Sequence, residues 1–590
     1  MAKKSKPKEE IITPEHQAIA AIEAEPDIAQ HVSQPVRPKF NLKTFLKTKK
    51  GKVISVILGA VIIVGVVLAI PFTRYALLGT AIKKTVTIGV FDITTGKPVS
   101  EAKVELAGFS VISDSSGSAK FDSVPVGDHP VKVTKNYYSE SDQNIEVPIF
   151  GDSTATIKVQ ARGRQVPIKV INKISGKPIN GAYIEAAGSS AKTNEDGEVA
   201  IVLSADQTTV EGNLKTAGYN DQKVQITVTD QNDEKNIFSI LPTGKVYFLS
   251  KRTGKINVMK SNLDGTDTQI ILEGTGKESD SDTILLASRN WRHLALKAKR
   301  DSDKPKLYYI NTSTDQTSVI DEGDAEFTPV GWSNDDFIYN VDRNSVVPSQ
   351  NGKFVLKGYN AQSNKLTTLD QSTAENGGYA YVYQTFTGTT IVNDLVFYIK
   401  EWHEYYGGYL LANKTNSMYT IKPSGQDKKE LAKPGANNIN FMQVKAYRPN
   451  ELYISANPSN YNDKATYFEY EDGIIREDKE MTSDKFDKSY PIQLVSPSGQ
   501  FTLWHEARGG KNSIFIGNSS GEQGKEVAKL EKQISYGWYS DEYVLMAKNG
   551  SELYIMSRDG GEPQKITDYH KAQFIGYGYG YGGSTDNLYY

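Results

Sequence analysis

The 590-residue chain contains no cysteine, which excludes disulfides, thiolate metal sites and cysteine nucleophiles. Its folded domains must therefore rely on their hydrophobic cores, which suits a bacterial export route better than eukaryotic secretion. Histidine and tryptophan are also scarce, with 7 and 5 residues. No cofactor is expected.

Charge is absent from Val53 to Thr73, a stretch of 21 residues made mostly of Val, Ile and Leu. A helix of this length crosses the ~30 Å hydrocarbon core of a bilayer. Because no face of the stretch is polar, a buried core helix is the weaker interpretation. We therefore predict a transmembrane helix over residues 53–73, which would make the membrane itself a partner.

The flanks of this stretch predict its orientation. Arg37 to Lys52 holds seven basic residues and no acidic one, so the positive-inside rule puts the N-terminus in the cytoplasm. We predict a single-pass signal anchor in the cell membrane, with a disordered basic tail at 1–52 and extracytoplasmic C-terminal domains. A cleaved signal peptide is the rival, with a small-x-small site at 79–81.

Two further inferences concern partners. Small residues four apart, Ser55 with Gly59 and Gly65 with Ala69, would allow a dimer through the span. The tail at 1–52 carries 11 Lys/Arg against 6 Asp/Glu, whereas the rest of the chain is mildly acidic. A mildly acidic remainder argues against a nucleic-acid partner.

Two stretches, 85–162 and 166–240, alternate apolar and polar residues with turn signals between, which predicts short strands. They repeat one another, because VFDITTGKPVSEAKVEL at 90–106 matches VINKISGKPINGAYIEA at 170–186. A repeat of about 80 residues indicates two copies of one domain. Asp196-Gly197 is interpreted as a hairpin turn rather than a cation ligand.

These residues resemble the carboxypeptidase regulatory-like family of small prealbumin-type β-sandwiches. The TGKPV core, the Ser-Gly or Asp-Gly turn and the Gly218-Tyr219 pair carry the resemblance. The first copy departs from it with Tyr137-Tyr138 at the last position. The resemblance implies spacer or binding domains without catalytic residues.

From Gly244 onward a longer unit recurs, in which each copy reads strand, hairpin, strand, turn, strand. The clearest copies are 246–272, 294–320, 494–521 and 543–567. Units of roughly 40–50 residues built this way are typical of propeller blades, which bury their faces only by closing a ring. We predict a β-propeller over 244–590 with about seven blades, starting near 244, 284, 328, 390, 440, 490 and 534; six or eight remain alternatives. The first blade lacks its innermost strand, which the tail from Lys571 would supply.

The blades resemble TolB-like and dipeptidyl-peptidase-IV-like propeller repeats. The motifs that carry the resemblance are Ser496-Pro497-Ser498-Gly499, Trp332-Ser333-Asn334-Asp335, Trp538-Tyr539-Ser540-Asp541 and the Asp-Gly turns at 264–265 and 559–560. The resemblance implies a fold and no particular activity. The predicted class is thus mainly β, with one transmembrane helix, two small β-sandwiches and one β-propeller.

Two similar motifs in the propeller are candidates for a binding face. They are Trp402-His403-Glu404-Tyr405 and Trp504-His505-Glu506, the second followed by Arg508. Both fall where the second strand of a blade meets its hairpin. Neither is H-E-x-x-H, so zinc through that motif is excluded, and a repeated structural position is the simpler interpretation.

Other sites are weaker. Glu278, Asp280 and Asp282 alternate in a loop and are calcium candidates, but they lack the turn glycine of a standard calcium loop. Gly517-Asn518-Ser519-Ser520-Gly521 matches G-x-S-x-G, but no helical pattern follows it, so we interpret it as a turn.

We expect a membrane-anchored surface protein whose propeller binds a protein or glycan, with the sandwiches as a stalk, and not an enzyme. The first alternative is an extracytoplasmic propeller hydrolase or lyase that uses carboxylate or His-Glu chemistry. The second alternative is a transmembrane sensor or assembly component. The sequence does not identify the ligand.

Overall fold

The computed structural model describes residues 49–69, 82–392, 394–406, 414, 416–432, 439–448, 451–458, 464–471, 474–483, 486, 494–508, 511–519, 523–530, 533–548 and 551–571. Two compact units make up the chain, Met1–Ile82 and Lys83–Tyr590. Strands dominate, so the predicted mainly β class is confirmed.

In the first unit, helix α1 (Lys49–Ala69) begins shortly before the uncharged stretch and covers most of it. Its apolar side chains are largely exposed, Val56 at 72% and Ile63 at 66%. Within the part of the chain that the structure describes, no helix combines the length and apolarity of a membrane span. The rest of the predicted span, residues 70–73, lies outside the described residues.

The second unit begins with two facing pairs of sheets. The first pair contains β1 (Lys83–Asp92), β2 (Lys103–Leu106), β3 (Phe109–Ile112), β4 (Ser118–Pro125), β5 (Gly127–Thr134), β6 (Ser141–Val147) and β7 (Thr154–Val159). One sheet has the order β4-β1-β7 and the other β3-β2-β5-β6. From Val86 onward every second residue of β1 is buried, as an alternating strand requires.

The second pair repeats this topology. Its strands are β8 (Arg164–Asn172), β9 (Tyr183–Ala186), β10 (Ser189–Lys192), β11 (Glu198–Leu203), β12 (Thr209–Lys215), β13 (Gln222–Thr227) and β14 (Ile237–Ile240). The sheet orders are β11-β8-β14 and β10-β9-β12-β13. They are the orders of the first pair with every strand number raised by seven. Val170 and Ile184, one from each sheet, belong to a single buried cluster, so the two sheets form a sandwich.

Local contacts repeat at the same spacing of 80 residues. The Ser113 hydroxyl donates to the Val99 carbonyl at 2.8 Å and accepts from the Ala102 amide at 2.9 Å. Thr193 makes the same two bonds in the second copy, to Ile179 at 2.6 Å and from Ala182 at 2.9 Å. The sequence repeat is therefore also a repeat of buried hydrogen bonds.

Seven sheets follow in chain order over the described residues of 245–567. The first three are β15 (Lys245–Ser250), β16 (Asn257–Asn262) and β17 (Gln269–Leu272); β18 (Ile284–Ala287), β19 (His293–Ala298), β20 (Lys306–Asn311) and β21 (Gln316–Asp321); and β22 (Ala325–Ser333), β23 (Asp336–Arg343), β24 (Phe354–Asn360) and β25 (Lys365–Gln371). The fourth is β26 (Ala374–Gly377), β27 (Ala380–Val392), β28 (Leu395–Tyr405), β29 (Ser417–Ile421) and β30 (Lys429–Ala432).

The last three sheets are β31 (Ile439–Arg448), β32 (Glu451–Pro458), β33 (Thr466–Glu471) and β34 (Ile474–Glu477); β35 (Leu494–Val495), β36 (Phe501–Arg508), β37 (Lys511–Asn518) and β38 (Lys525–Leu530); and β39 (Gln533–Trp538), β40 (Tyr543–Lys548), β41 (Glu552–Ser557) and β42 (Gln564–Thr567). All seven sheets are antiparallel meanders, and we call them blades 1 to 7 in chain order.

The ring closes where blade 7 meets blade 1. Val246, Leu285 and Leu545, from blades 1, 2 and 7, share one buried cluster. Blade 1 has three strands, and its β15 pairs on the free side with the chain beyond β42, because the Lys571 amide donates to the Leu249 carbonyl at 2.8 Å. This pairing occupies the innermost position, where the tail was predicted to add a strand; residues 572–590 lie outside the described part.

The second sandwich contacts both sides of this closure. Lys173 pairs with Asp264 of blade 1 at 2.7 Å, and Lys177 pairs with Asp559 of blade 7. Between them the side chain of Ile174, 6% exposed, belongs to the buried cluster that joins blades 1, 2 and 7. A loop of the sandwich thus contributes to the propeller core.

The two sandwiches also contact each other. The Lys135 ammonium donates to the carbonyl of Ser100 in its own sandwich and to that of Ser190 in the other, the latter at 2.7 Å. Burial lowers the pKa of Lys135 to about 8. The Tyr137 hydroxyl donates to the Ala187 carbonyl of the second sandwich at 3.1 Å. The Tyr137-Tyr138 sequence, where the first copy differs from the family pattern, thus contributes to the contact between the sandwiches.

Candidate functional site

Blade 4 differs from the other blades in length. Its strands β27 and β28 have 13 and 11 residues, whereas β19 and β23, the second strands of blades 2 and 3, have 6 and 8. The extra residues lie where β27 begins and β28 ends, and there β26 pairs with β27 as a fifth strand. The sequence predicted that this blade starts near 390. The structure corrects the prediction, because the blade begins with β26 at Ala374 and its long hairpin begins at Ala380.

The register of the extended hairpin places aromatic residues opposite one another. Tyr381 pairs with Tyr405, and Tyr383 pairs with His403. Because side chains alternate along a strand, these four share one face of the sheet. We call this face, together with Tyr406 at its outer end, the aromatic ladder.

The rings of the ladder are in sequential contact. The ring centroids of Tyr405 and Tyr406 are 4.2 Å apart, those of Tyr381 and Tyr405 4.8 Å, and those of Tyr383 and His403 5.4 Å. Exposure is highest at the outer end, 72% for Tyr406 and 46% for Tyr405. A contiguous exposed aromatic surface of this kind is typical of a binding site rather than of ordinary blade packing.

The inner end of the ladder is polar. One register step below His403, Thr385 pairs with Glu401, and the Thr385 hydroxyl lies 2.8 Å from His403 Nε2. Glu401 Oε2 lies 3.7 Å from the same nitrogen, too far for a hydrogen bond. Burial raises the pKa of Glu401 and lowers that of His403, so the histidine is neutral at pH 7.

The ladder leads toward the junction with blade 5. Ile399, two residues before Glu401 and hence on the same face, packs in one cluster with Ile454 and Phe468 of blade 5. The face is therefore core-packed at one end and exposed at the other. The polar group Thr385–Glu401–His403 lies between these two regions.

The structure separates the predicted residues of the first motif. His403 and Tyr405 lie on the ladder, whereas Trp402 and Glu404 lie on the opposite face of β28. There the Lys414 ammonium lies 4.8 Å from the Trp402 ring centroid. The carboxylate beside His403 is that of Glu401, which the sequence interpretation missed; an i, i−2 spacing within a strand is the signal that identifies it.

The second motif lies on β36, the second strand of blade 6, with blade 5 between it and the ladder. Trp504 is buried and stacks on Phe515 with ring centroids 6.0 Å apart. The side chains of His505, Glu506 and Arg508 lie outside the described part of the structure. The two motifs therefore occupy equivalent strands of blades that are not neighbours.

The calcium candidates each face a different cation. Glu278, whose side chain is 1% exposed, pairs with Arg300 at 2.9 Å. Asp282 pairs with Lys299 at 2.9 Å, and Asp280 pairs with Lys251. Burial opposes ionisation of Glu278, but backbone amides and Arg300 outweigh it and leave its pKa lowered. Among the described residues no group of His, Asp and Glu could hold a metal ion.

The G-x-S-x-G motif begins at the end of β37, and the next described element is β38, a strand. A nucleophile elbow requires a helix at that point. The order strand, motif, strand therefore agrees with the turn that the sequence predicts for this motif.

Comparisons with known proteins give structural likenesses only. No family model and no curated protein matches the chain. Among solved structures it is similar to the β-propeller domain of the trilobed protease from Pyrococcus furiosus, at 11% identity and a TM-score of 0.32, over 62% of this chain and 96% of that one.

TolB from Acinetobacter baumannii matches at 12% identity and a TM-score of 0.25, over 55% of this chain and 78% of that one. An oligogalacturonate lyase from Vibrio parahaemolyticus matches at 9% identity and a TM-score of 0.31, over 52% and 83%. Propeller proteins, TolB among them, are thus among the structures this chain is similar to. Such low values assign no activity, and the propeller fold follows from the seven sheets and their closure. Membership of the sandwich family stays a prediction.

Proposed function

We propose that the propeller binds a glycan through the aromatic ladder. The observation that supports this is the run of touching rings from Tyr406 to Tyr383, exposed at its outer end. Flat aromatic faces stack on the apolar faces of sugar rings, and Tyr adds a hydroxyl that bonds to sugar hydroxyls. A polar group at the inner end of such a surface fixes the orientation of the ligand.

The test compares binding of soluble oligosaccharides to the purified full-length protein and to a Tyr381→Ala/Tyr405→Ala variant. Each lost stacking contact is worth about 1 kcal/mol, so the double variant should bind at least tenfold more weakly. Phe150→Ala is the control, since Phe150 is 88% exposed on the first sandwich. If the wild type binds proteins from the cell surface but no glycan, the ligand class is wrong.

We further propose that residues 53–73 anchor the protein in the cell membrane with the N-terminus in the cytoplasm, and that the sandwiches form a stalk. The uncharged stretch and its basic flank support the anchor. The contacts of Lys135 and Lys173 across the domain junctions support a stalk whose domains are held in fixed contact. Protease added to intact cells should release the propeller; a protected propeller would contradict this topology.

The enzyme alternative has one observation in its favour. Glu401, with its raised pKa, and neutral His403 are an acid and a base on the same face. A glycan hydrolase or lyase would use both, so turnover of a bound oligosaccharide that is lost in both Glu401→Gln and His403→Asn would favour it. Binding without turnover favours the binding protein.

A sensor or assembly role would require a dimer through the span, which crosslinking of Gly59 and Gly65 variants in membranes tests.

A further inference from the structure

The ladder face carries little charge. On β26, β27 and β28 its members are Ala374 and Asn376, then Tyr381, Tyr383 and Thr385, then Glu401, His403 and Tyr405. Among these described residues Glu401 alone has an acidic side chain, and none has a lysine or arginine side chain. A ligand that reaches the inner end therefore meets the carboxyl group of Glu401, and the face residues named above present no cation to it.

The nearby cations are held elsewhere. Lys400 and Lys414 belong to the other face, where they pair with Asp370 at 3.1 Å and Glu375 at 2.5 Å. Lys353 of blade 3 pairs with Asp342 at 2.5 Å and donates to the Arg343 carbonyl at 2.8 Å. These ammonium groups already have partners, so they are poorly placed to neutralise a carboxylate, sulfate or phosphate on the ladder.

The inner group is suited to hydroxyls. A sugar hydroxyl donates to the Glu401 carboxylate in a charge-assisted hydrogen bond, which is stronger than a bond between neutral groups. A neighbouring hydroxyl of the same ring can bond to the Thr385 hydroxyl. An anionic sugar would instead bring like charge to a partly buried carboxylate, where repulsion is weakly screened.

We infer that the ladder selects uncharged glycans, with Glu401 and Thr385 at its inner end binding the hydroxyls of one terminal sugar ring. This inference rests on the proposed glycan binding and narrows its ligand class. It also makes Glu401 a specificity-determining residue, because its charge is what disfavours anionic chains.

The test measures binding of full-length protein to matched oligosaccharides by calorimetry. The probes are neutral glucose and N-acetylglucosamine oligomers, oligogalacturonates and sulfated oligosaccharides of the same length. Neutral oligomers should bind at least tenfold more tightly than either anionic series. Tighter binding of an anionic series overturns the inference but leaves glycan binding in place, whereas no binding of any probe removes the proposed function as well.

Glu401→Gln separates charge from shape. This variant should bind neutral oligosaccharides about tenfold more weakly, a loss of ~1.4 kcal/mol. It should also narrow the difference in affinity between neutral and anionic oligosaccharides. Glu404→Gln is the matched control on the opposite face and should change affinity less than twofold. Equal effects of the two variants, or an unchanged preference in Glu401→Gln, would contradict the assignment. Since loss of fold weakens all probes alike, the change in preference is informative even if Glu401→Gln is less stable.

Discussion

Asp370 joins blades 3 and 4 through buried charge. At the end of β25 it accepts a hydrogen bond from the Tyr398 hydroxyl at 2.8 Å and pairs with Lys400 at 3.1 Å and Lys428 at 2.6 Å. Its side chain is only 8% exposed. Asp321 has the same role between blades 2 and 3, with Tyr339 at 2.8 Å and Lys357 at 2.6 Å. These inter-blade groups are therefore structural and distinct from the ladder.

Replacing Asp370 by Asn should lower the free energy of unfolding by about 3 kcal/mol, because the variant leaves Lys400 buried without its counter-charge. All five tryptophans (291, 332, 402, 504 and 538) lie in the propeller, so their fluorescence during urea unfolding reports on this domain alone. Asp427→Asn is the control, since its pair with Lys422 is exposed on both sides. Equal midpoints for the two variants would contradict a structural role for Asp370.

The same group predicts a pH dependence. Burial would raise the pKa of Asp370, but Lys428, Lys400 and Tyr398 outweigh it and leave the pKa below its ordinary value of 3.8. The folded state then binds fewer protons than the unfolded state around that pH. This contribution to stability is full above about pH 4 and is lost as the pH falls through the folded pKa. Asp370→Asn should remove that part of the acid-induced loss.

The carboxylate partner of His403 could not be predicted from the sequence alone. The pair His403-Glu404 is conspicuous in the sequence, yet adjacent strand residues point to opposite faces. Glu401 becomes its partner only once β28 is known to continue as a strand to Tyr405. The local pattern predicted the strand but left its end, and hence the site, undetermined.

At the scale of elements, the turns were the most predictable feature. Gly117 and Gly197 have φ of +74° and +71°, and a Cβ there would lie 2.5 Å and 2.4 Å from the carbonyls of Val90 and Val170. Such a turn requires glycine in both copies, so the sequence repeat reveals it. The long hairpin of blade 4 was less visible, because Gly388 and the bulge between Thr387 and Thr390 interrupt its alternation.

The element that closes the ring has a direct test. Deleting residues 570–590 removes the pairing of His570 and Lys571 with Ser250 and Leu249, so β15 becomes an exposed edge. We expect the tryptophan-detected midpoint to fall and the protein to aggregate more readily. Deletion of 583–590 alone should have little effect. If both deletions leave stability unchanged, the tail is not the innermost strand of blade 1.

At the scale of the molecule, the second sandwich is part of the propeller's closure. Ile174→Ala should lower propeller stability by about 3 kcal/mol although the residue belongs to the sandwich, because it leaves a cavity in the cluster shared with blades 1, 2 and 7. Thr94→Ala, the equivalent and exposed position of the first sandwich, is the control. If Ile174→Ala leaves the midpoint of propeller unfolding unchanged, the two domains fold independently.

The domain order was predictable because repeats and turns are local signals, whereas the contacts between domains were not. Lys173, Ile174 and Lys177 lie in a turn whose counterpart in the first sandwich is exposed, and only the fold brings them to blades 1 and 7. The ladder likewise depends on a pairing between residues some 20 positions apart.

The most direct test of glycan binding is hydrogen–deuterium exchange of the full-length protein with and without a saturating neutral oligosaccharide. Protection is expected in β26, in β27 from Ala380 to Thr385 and in β28 from Glu401 to Tyr405, since bound sugar covers that end of blade 4. The sandwiches and blades 1 and 2 should exchange as before. Protection confined to the sandwiches or to another blade would contradict the assignment of the ladder as the binding site.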